Sequence, residues 1–206
     1  PGTTGVELLS QLRERWPEVA VYGPSDERMP EQIHEVSDGS QIELPQLSVT
    51  FQVLATPGHT LSHLAFYGVH QGEHLLFCGD TLFSIGCGRL FEGSAEQMQS
   101  SLDRFAALPA ETWAFPAHEY TLSNCRFALA VDPANDDLQA YAQAVSQARA
   151  AERATLPTRL ALERRCNPFM RTREPGVITA AQRREPGCGE SPAQVMGVIR
   201  RWKDQF

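Results

Sequence analysis

Three apolar runs in this 206-residue chain end in the same way, and that repetition restricts the folds open to it. Val49–Ala55 (Val-Thr-Phe-Gln-Val-Leu-Ala) alternates apolar and polar residues, the period-two pattern of a half-buried strand. It breaks at Thr56-Pro57-Gly58-His59. Leu75-Leu76-Phe77-Cys78 breaks at Gly79-Asp80-Thr81, and Thr112-Trp113-Ala114-Phe115 breaks at Pro116-Ala117-His118-Glu119. Each run therefore delivers one His or Asp at its C-terminal end, beside small or helix-breaking residues. A Gly-Asp pair alone is an ordinary turn signal. The same arrangement three times over points instead to a sheet edge that gathers nitrogen and oxygen donors for a borderline divalent metal. His34, His70 and His74 lie in polar stretches and read as solvated. His63 opens a strand and could face either side.

The rest of the chain alternates helix and strand patterns up to this third break. Val6, Leu9, Leu12 and Trp16 form a helical stripe that Pro17 ends, and residues 19–22 read as a short strand. Residues 25–39 read as loop. Strands are expected at about 40–44, 48–55, 63–69, 74–79 and 112–116. Ser94-x-x-Gln97 has the form of a capping box, opening a helix that buries Met98, Leu102 and Phe105. This alternation predicts an α/β layered domain. Beyond His118 the composition changes. Residues 121–153 are alanine-rich and read as two helices broken at Asp132-Pro133, whereas 154–190, with Pro157, Pro168, Pro175 and Pro186, read as extended or loop-rich. Ser191-Pro192-x-Gln194 then opens a final helix with Val195, Val198, Ile199 and Trp202 turned to a core. The boundary falls near Tyr120 without a flexible linker, so residues 1–120 and 121–206 are expected to pack tightly.

Bulk properties narrow the function classes. A net charge of −7 and a pI near 5.4 argue against general nucleic-acid binding, although an acidic protein can take an anionic substrate where its few cations are concentrated. No apolar run approaches the roughly 18 residues that a bilayer span requires. Five cysteines, without CxxC spacing, fit a reducing compartment better than a disulfide framework, and a cytoplasmic monomer is expected. Cys78 ends an apolar strand and reads as a small packing residue rather than a nucleophile.

Four stretches carry a family resemblance: Thr56-Pro57-Gly58-His59-Thr60-x-x-His63, Phe77-Cys78-Gly79-Asp80-Thr81-Leu82-Phe83, Gly86-Cys87-Gly88-Arg89-Leu90-Phe91-Glu92-Gly93 and Ala117-His118-Glu119-Tyr120-Thr121. With Asn167-Pro168-Phe169-Met170-Arg171 and the terminal Arg200-Arg201-Trp202-Lys203-Asp204-Gln205-Phe206, the chain resembles the hydroxyacylglutathione hydrolases (glyoxalase II) of the metallo-β-lactamase superfamily. The resemblance implies an αββα sandwich, incomplete at its N-terminus, followed by a small helical substrate-binding domain. The family's His-x-His-x-Asp-His motif is expected just before Thr3, where this chain has only Pro1-Gly2. Four of seven metal ligands and the preceding strands are therefore expected to be absent, and the 206 residues alone to be inactive, with an unpaired sheet edge and exposed core surface.

The implied reaction is hydrolysis of S-(2-hydroxyacyl)glutathione, typically S-D-lactoylglutathione, to glutathione and a 2-hydroxy acid, the second step of methylglyoxal detoxification. Two divalent metals, zinc or else iron or manganese, would supply hydroxide at neutral pH. Asp80 would bridge them, His59 would complete one site, and His118 would contribute to the other. His63 is a candidate for orienting the ligands from behind, as are Thr60 and Glu119. Arg89, Phe91, Tyr120, Arg200 and Lys203 match substrate-binding positions; Phe91 stands where some relatives carry tyrosine. Arg200 and Lys203, three apart on one helix, are expected to share a face and capture glutathione carboxylates, against the alternative of a solvated basic helix end. The competing functions are a one-iron sulfur dioxygenase of the same fold and an inactive glutathione-binding fragment.

Overall fold

The computed structural model describes residues 5–29 and 33–206. Pro1–Thr4, next to which the upstream motif was expected, and residues 30–32 of the expected loop lie outside the described residues, as does the Val6 side chain. The order is α1 (Gly5–Arg15), β1 (Tyr22–Gly23), β2 (His34–Glu35), β3 (Gln41–Leu44), β4 (Val49–Ala55), β5 (Leu64–His70), β6 (Glu73–Gly79), β7 (Leu82–Phe83), β8 (Gly86–Cys87), α2 (Ala95–Ala106) and β9 (Trp113–Pro116). There follow α3 (Thr121–Val131), α4 (Asp136–Ala150), β10 (Thr158–Arg159), α5 (Leu160–Cys166), α6 (Pro175–Arg184) and α7 (Pro192–Asp204). The main sheet runs β10-β9-β6-β5-β4-β3, antiparallel throughout except where β6 lies parallel to β9. The turn between β5 and β6 is Gln71-Gly72, both at positive φ (51° and 82°), the conformation that matches hairpin twist.

Strand alternation divides the sheet faces. Leu54, Ala65, Leu76, Cys78 and Ala114 turn to one side, where they share a core with Met98, Leu102 and Phe105 of α2 and with Val195, Met196 and Ile199 of α7. One continuous cluster thus joins the sheet to the terminal helices, which is the tight packing expected across Tyr120. On the other face Phe51, Phe77 and Phe115 pair ring to ring at 5.6 and 5.0 Å. Phe51 and Phe77 border an open apolar groove of about 600 Å³ with Tyr22, Ile42 and Val49.

Both expected caps are present. Ser94 and Gln97 form a reciprocal capping box, and the Ser191 side chain accepts from the Gln194 amide. The expected stripe of α1 is only partly covered, and Trp16 is exposed. Residues 154–190 depart from expectation: they hold β10, α5 and α6. Their prolines mark boundaries, with Pro175 in the first turn of α6, where a missing N–H costs nothing, and Pro168 just past α5. The short β2 lies inside the expected loop, and His74 is not simply solvated, since its Nδ1 lies 2.6 Å from the Tyr67 hydroxyl. All five cysteines are free, with Cys78 fully buried. Among the described residues no helix is long and apolar enough to cross a membrane.

Candidate metal centre

Topology brings the three strand ends together. β4 and β6 are both antiparallel to β5 and so point the same way, and β9 is parallel to β6. His59, Asp80 and His118 therefore all emerge at one edge of the sheet. The register Gly79↔Pro116, with the Ala117 amide donating to the Gly79 carbonyl at 3.0 Å, sets the Asp80 and His118 loops side by side. His118 Nε2 lies 3.6 Å from Asp80 Oδ1.

Hydrogen bonds fix how each donor is presented. His59 Nδ1 lies 2.9 Å from the Arg89 carbonyl, which can only accept, so Nδ1 carries a proton and Nε2 is the nitrogen left to face a metal. A histidine oriented through its other nitrogen in this way is typical of metal ligands. His63 is different, because both of its nitrogens are used. The Asp80 amide donates to Nε2 at 3.1 Å, so Nδ1 bears the proton and faces the hydroxyls of Thr56 (2.8 Å) and Thr81 (3.0 Å). Burial above all pushes the His63 imidazole down to about 4, with the nearby His59 adding to it and Asp80 opposing. His63 is a neutral strut behind Asp80.

Two glycines permit this crowding. Gly79 has φ 51°, and a Cβ there would lie 2.7 Å from His63 Nε2. At Gly88 a Cβ would stand 2.0 Å from the Asp80 carbonyl oxygen and 3.2 Å from the His59 side chain, so only a bare backbone fits between the two candidate ligands.

The donor set of two imidazoles and a carboxylate suits a divalent metal such as zinc. Among the described residues, no three His, Cys, Asp or Glu side chains converge so as to hold one ion by themselves. The donors present fit a divalent ion in type and presentation.

The candidate substrate residues surround this edge unequally. Phe91 is 68% exposed and its ring lies 4.9 Å from that of His59; Tyr120 stacks on His118 at 5.3 Å. The Arg89 side chain is 65% exposed, with Nε 3.5 Å from Asp204. Arg200 and Lys203 do not project together as expected. The Arg200 side chain is only 5% exposed and donates inward to the Cys87 carbonyl at 2.8 Å and to Asp204 at 3.1 Å. Lys203 is half-buried over Phe127, and its amine is pushed down to about 8, first by burial and then by Arg200. Glu119 is turned away, accepting from the Thr155 amide and hydroxyl. The sequence reading missed an ionic staple beside the His59 loop: Arg28 pairs with Asp26 and Glu92, Ser62 donates to Asp26, and Glu92 accepts the Leu61 amide at 2.8 Å. The links between Asp26-x-Arg28, Leu61-Ser62 and Glu92 span 31 to 64 residues, beyond any local pattern.

Comparisons with known proteins show the family and the fold. Residues 8–118 match the metallo-beta-lactamase superfamily model, and residues 119–206 match the model of the hydroxyacylglutathione hydrolase C-terminus. The chain is 48% identical to a hydroxyacylglutathione hydrolase of Xanthomonas euvesicatoria pv. vesicatoria (strain 85-10) over 96% of its own length and 75% of the relative's. It is 49% identical to one from Ectopseudomonas mendocina (strain ymp), over 98% of this chain and 76% of that protein. Among solved structures, a metallo-beta-lactamase from Staphylococcus aureus subsp. aureus COL superposes with a TM-score of 0.56 at 19% identity, covering 93% of this chain and 51% of that one, a likeness of fold.

Proposed function

From a chain that belongs to the hydroxyacylglutathione hydrolase family of the metallo-β-lactamase superfamily, we infer hydrolysis of S-(2-hydroxyacyl)glutathione thioesters, S-D-lactoylglutathione foremost, to glutathione and a 2-hydroxy acid. The observation that carries this reading is the single sheet edge on which His59, Asp80 and His118 meet an exposed Arg89, Phe91 and Tyr120. His59, Asp80 and His118 would hold divalent metal ions, zinc by donor type. Such ions polarise a carbonyl and lower the pKa of water from 15.7 to about 7.

The chain's own residues do the rest. His63 keeps the Asp80 backbone in place, so the carboxylate is presented without reorganisation. Phe91 and Tyr120 flank the two histidines and offer apolar surface to a bound thioester. Thiolate is a tolerable leaving group, which lessens the need for a protein acid. Arg89 and Lys203 offer positive charge to the glutathione carboxylates. Lys203 in its partly buried setting would regain full charge beside an anion. Arg200 contributes by fixing the Cys87 carbonyl and therefore the loop that carries Arg89. Residues 1–120 serve as the hydrolase domain and 121–206 as the substrate-binding domain, in a protein we place in the cytoplasm, acting as a monomer without nucleic acid or membrane. The five free thiols support the reducing compartment.

The test is turnover by the purified natural protein supplied with zinc. S-D-lactoylglutathione should yield glutathione and D-lactate in equal amounts, and a lactoyl thioester of cysteamine should be a far poorer substrate. No turnover, or equal kcat/KM for both thioesters, would refute the reading. Oxygen uptake with glutathione persulfide would replace it with the dioxygenase.

A further inference from the structure

Glu163 is a fully buried carboxylate that no step above uses. Its Oε1 accepts from the Thr158 hydroxyl at 2.7 Å, and its Oε2 accepts from the Asn167 amide at 2.9 Å and from the Ile85 backbone N–H at 2.8 Å. Its partners among the described residues are all neutral donors. A carboxylate is costly to bury without a cation, so what it holds is informative.

It holds the tip of the β7–β8 hairpin. The tip residues Ser84 and Ile85 are inserted among the helices: Ile85 is fully buried with Cys125, Ala128, Leu138, Val145 and Cys166. Ile85 sits at φ 58°, a conformation that a β-branched residue rarely adopts unless its surroundings impose it. The surroundings are specific. Asn124 donates to the Ser84 carbonyl at 3.0 Å, Asn167 to the Gly86 carbonyl at 3.0 Å, and the Tyr141 and Ser84 hydroxyls lie 3.1 Å apart. Glu163 satisfies the remaining inward N–H, that of Ile85 itself.

The base of the same hairpin is the candidate metal centre. Asp80 lies two residues before β7. The Gly88 amide just past β8 donates to the Thr81 carbonyl at 3.3 Å, and Arg89, next in sequence, offers its carbonyl to His59. A shift of the tip is carried along two short strands to the Asp80 backbone and to the carbonyl that orients His59.

We propose that Glu163 is a positioning residue: through the Ile85 amide it anchors the β7–β8 hairpin in the helical half, and so sets Asp80 and His59 at its base. The proposal rests on reading these two as metal-holding residues. Burial pushes the Glu163 carboxyl up to about 7, against the hydrogen bonds from Thr158, Asn167 and Ile85. The anchor survives protonation, since the Thr158 hydroxyl can turn and accept a proton on Oε1 while Oε2 keeps the Ile85 amide. Glutamine reproduces that neutral arrangement; methionine, of similar size, takes the acceptor from the Ile85 N–H and the Thr158 hydroxyl and leaves Asn167 only its backbone carbonyl partners.

The test compares Glu163→Gln and Glu163→Met in the otherwise natural protein by hydrogen exchange without metal and by zinc affinity. Glu163→Met should speed exchange of the Ile85 and Gly88 amides, and weaken zinc, each by about tenfold or more, the scale of one lost buried hydrogen bond. The β5 and β6 amides should exchange no faster than in the wild type, and Glu163→Gln should be no more than about threefold worse than wild type on any measure. Uniformly faster exchange would mark a merely structural residue and overturn the proposal. So would unchanged exchange at 82–88, unchanged zinc affinity, or a Gln variant as impaired as the Met variant. Should Glu163→Met not fold, Glu163→Asp, one methylene too short to reach the Ile85 amide, is held to the same thresholds. Neither readout requires turnover, so a wild-type protein that bound zinc without cleaving thioesters would refute the proposed function alone.

Discussion

Gly79→Ala tests the account of how Asp80 is held, because two independent costs meet at one Cβ. The first is conformational: at φ 51° an L-residue pays about 1–2 kcal/mol that glycine does not. The second is steric. The new methyl group would lie 2.7 Å from His63 Nε2 and 2.9 Å from its Cε1, and the imidazole has nowhere to go, with Thr56 and Thr81 on its far nitrogen. Displacing the ring breaks the bond from the Asp80 amide, and a donor left unsatisfied in a part-buried position costs about 1–3 kcal/mol. The sum is on the order of 2–5 kcal/mol.

A double-mutant cycle separates the two contributions. His63→Ala alone removes the acceptor; added to Gly79→Ala it also removes the obstacle, so only the conformational cost of alanine remains. The double mutant should therefore be about 1–3 kcal/mol more stable than the sum of the single losses predicts. Urea unfolding read as midpoint and slope, with unchanged slopes, supplies the numbers. A loss below about 1 kcal/mol for Gly79→Ala, or additivity to within about 0.5 kcal/mol, would refute the crowding of Gly79 against His63.

Asp80→Asn should abolish most turnover and lower bound metal, since an amide is a poorer ligand and carries no charge; unchanged metal content by atomic emission would remove Asp80 from the centre. Arg89→Ala and Lys203→Ala should raise KM for the glutathione thioester more than they lower kcat, each by the roughly 1.5–3 kcal/mol of a charged hydrogen bond, and steady-state kinetics would show the split. Glu163 gives a pH dependence of stability. Its folded pKa of about 7 lies above the ordinary 4.5, so its favourable contribution is complete below about 4.5 and is lost as pH rises through about 7, on the order of 3 kcal/mol at most. Urea unfolding at pH 5 and pH 8 should show Glu163→Gln gaining on the wild type at the higher pH; a constant difference would mean that Glu163 titrates normally.

Much of the fold was legible because the responsible forces are local. Period-two alternation in Val49–Ala55, and short apolar runs bounded by turn residues elsewhere, located β3 to β6 and β9 to within a residue or so, and Ser94 and Ser191 marked helix starts through caps that involve residues only three apart. The failures have equally physical causes. The prolines of 154–190 suggest irregular chain, yet proline at a helix start removes an N–H that would have had no partner anyway, so the same residue that breaks a helix elsewhere opens α6 at Pro175. The β7–β8 hairpin has two-residue strands, and its turn is held by Asn124 of α3, Glu163 of α5 and Asn167 just past α5, all distant in sequence. No local pattern in Leu82–Cys87 carries that information.

The site divides along the same line. His59, Asp80 and His118 were legible because each ends a strand, and strand ends meet wherever neighbouring strands run the same way, as β4, β6 and β9 do. The partners that make them usable were partly legible, as with His63, and partly not, as with Thr56 and Thr81, whose value lies in both facing one nitrogen. Arg200 shows where helical periodicity stops being informative. Spacing of three puts Arg200 and Lys203 on adjoining parts of one face of α7, but it does not say what that face meets. The guanidinium meets the Cys87 carbonyl and the Asp204 carboxylate, while three residues on the amine meets the Ser123 carbonyl and the Phe127 ring. Asp204, four residues after Arg200, lies within ion-pair distance of both Arg200 and the exposed Arg89. A substrate carboxylate approaching Arg89 must therefore compete with Asp204. Removing that competitor with Asp204→Asn should lower KM while leaving Arg200 its bond to Cys87, and an unchanged or higher KM would show that Asp204 orients Arg89 rather than occupying it.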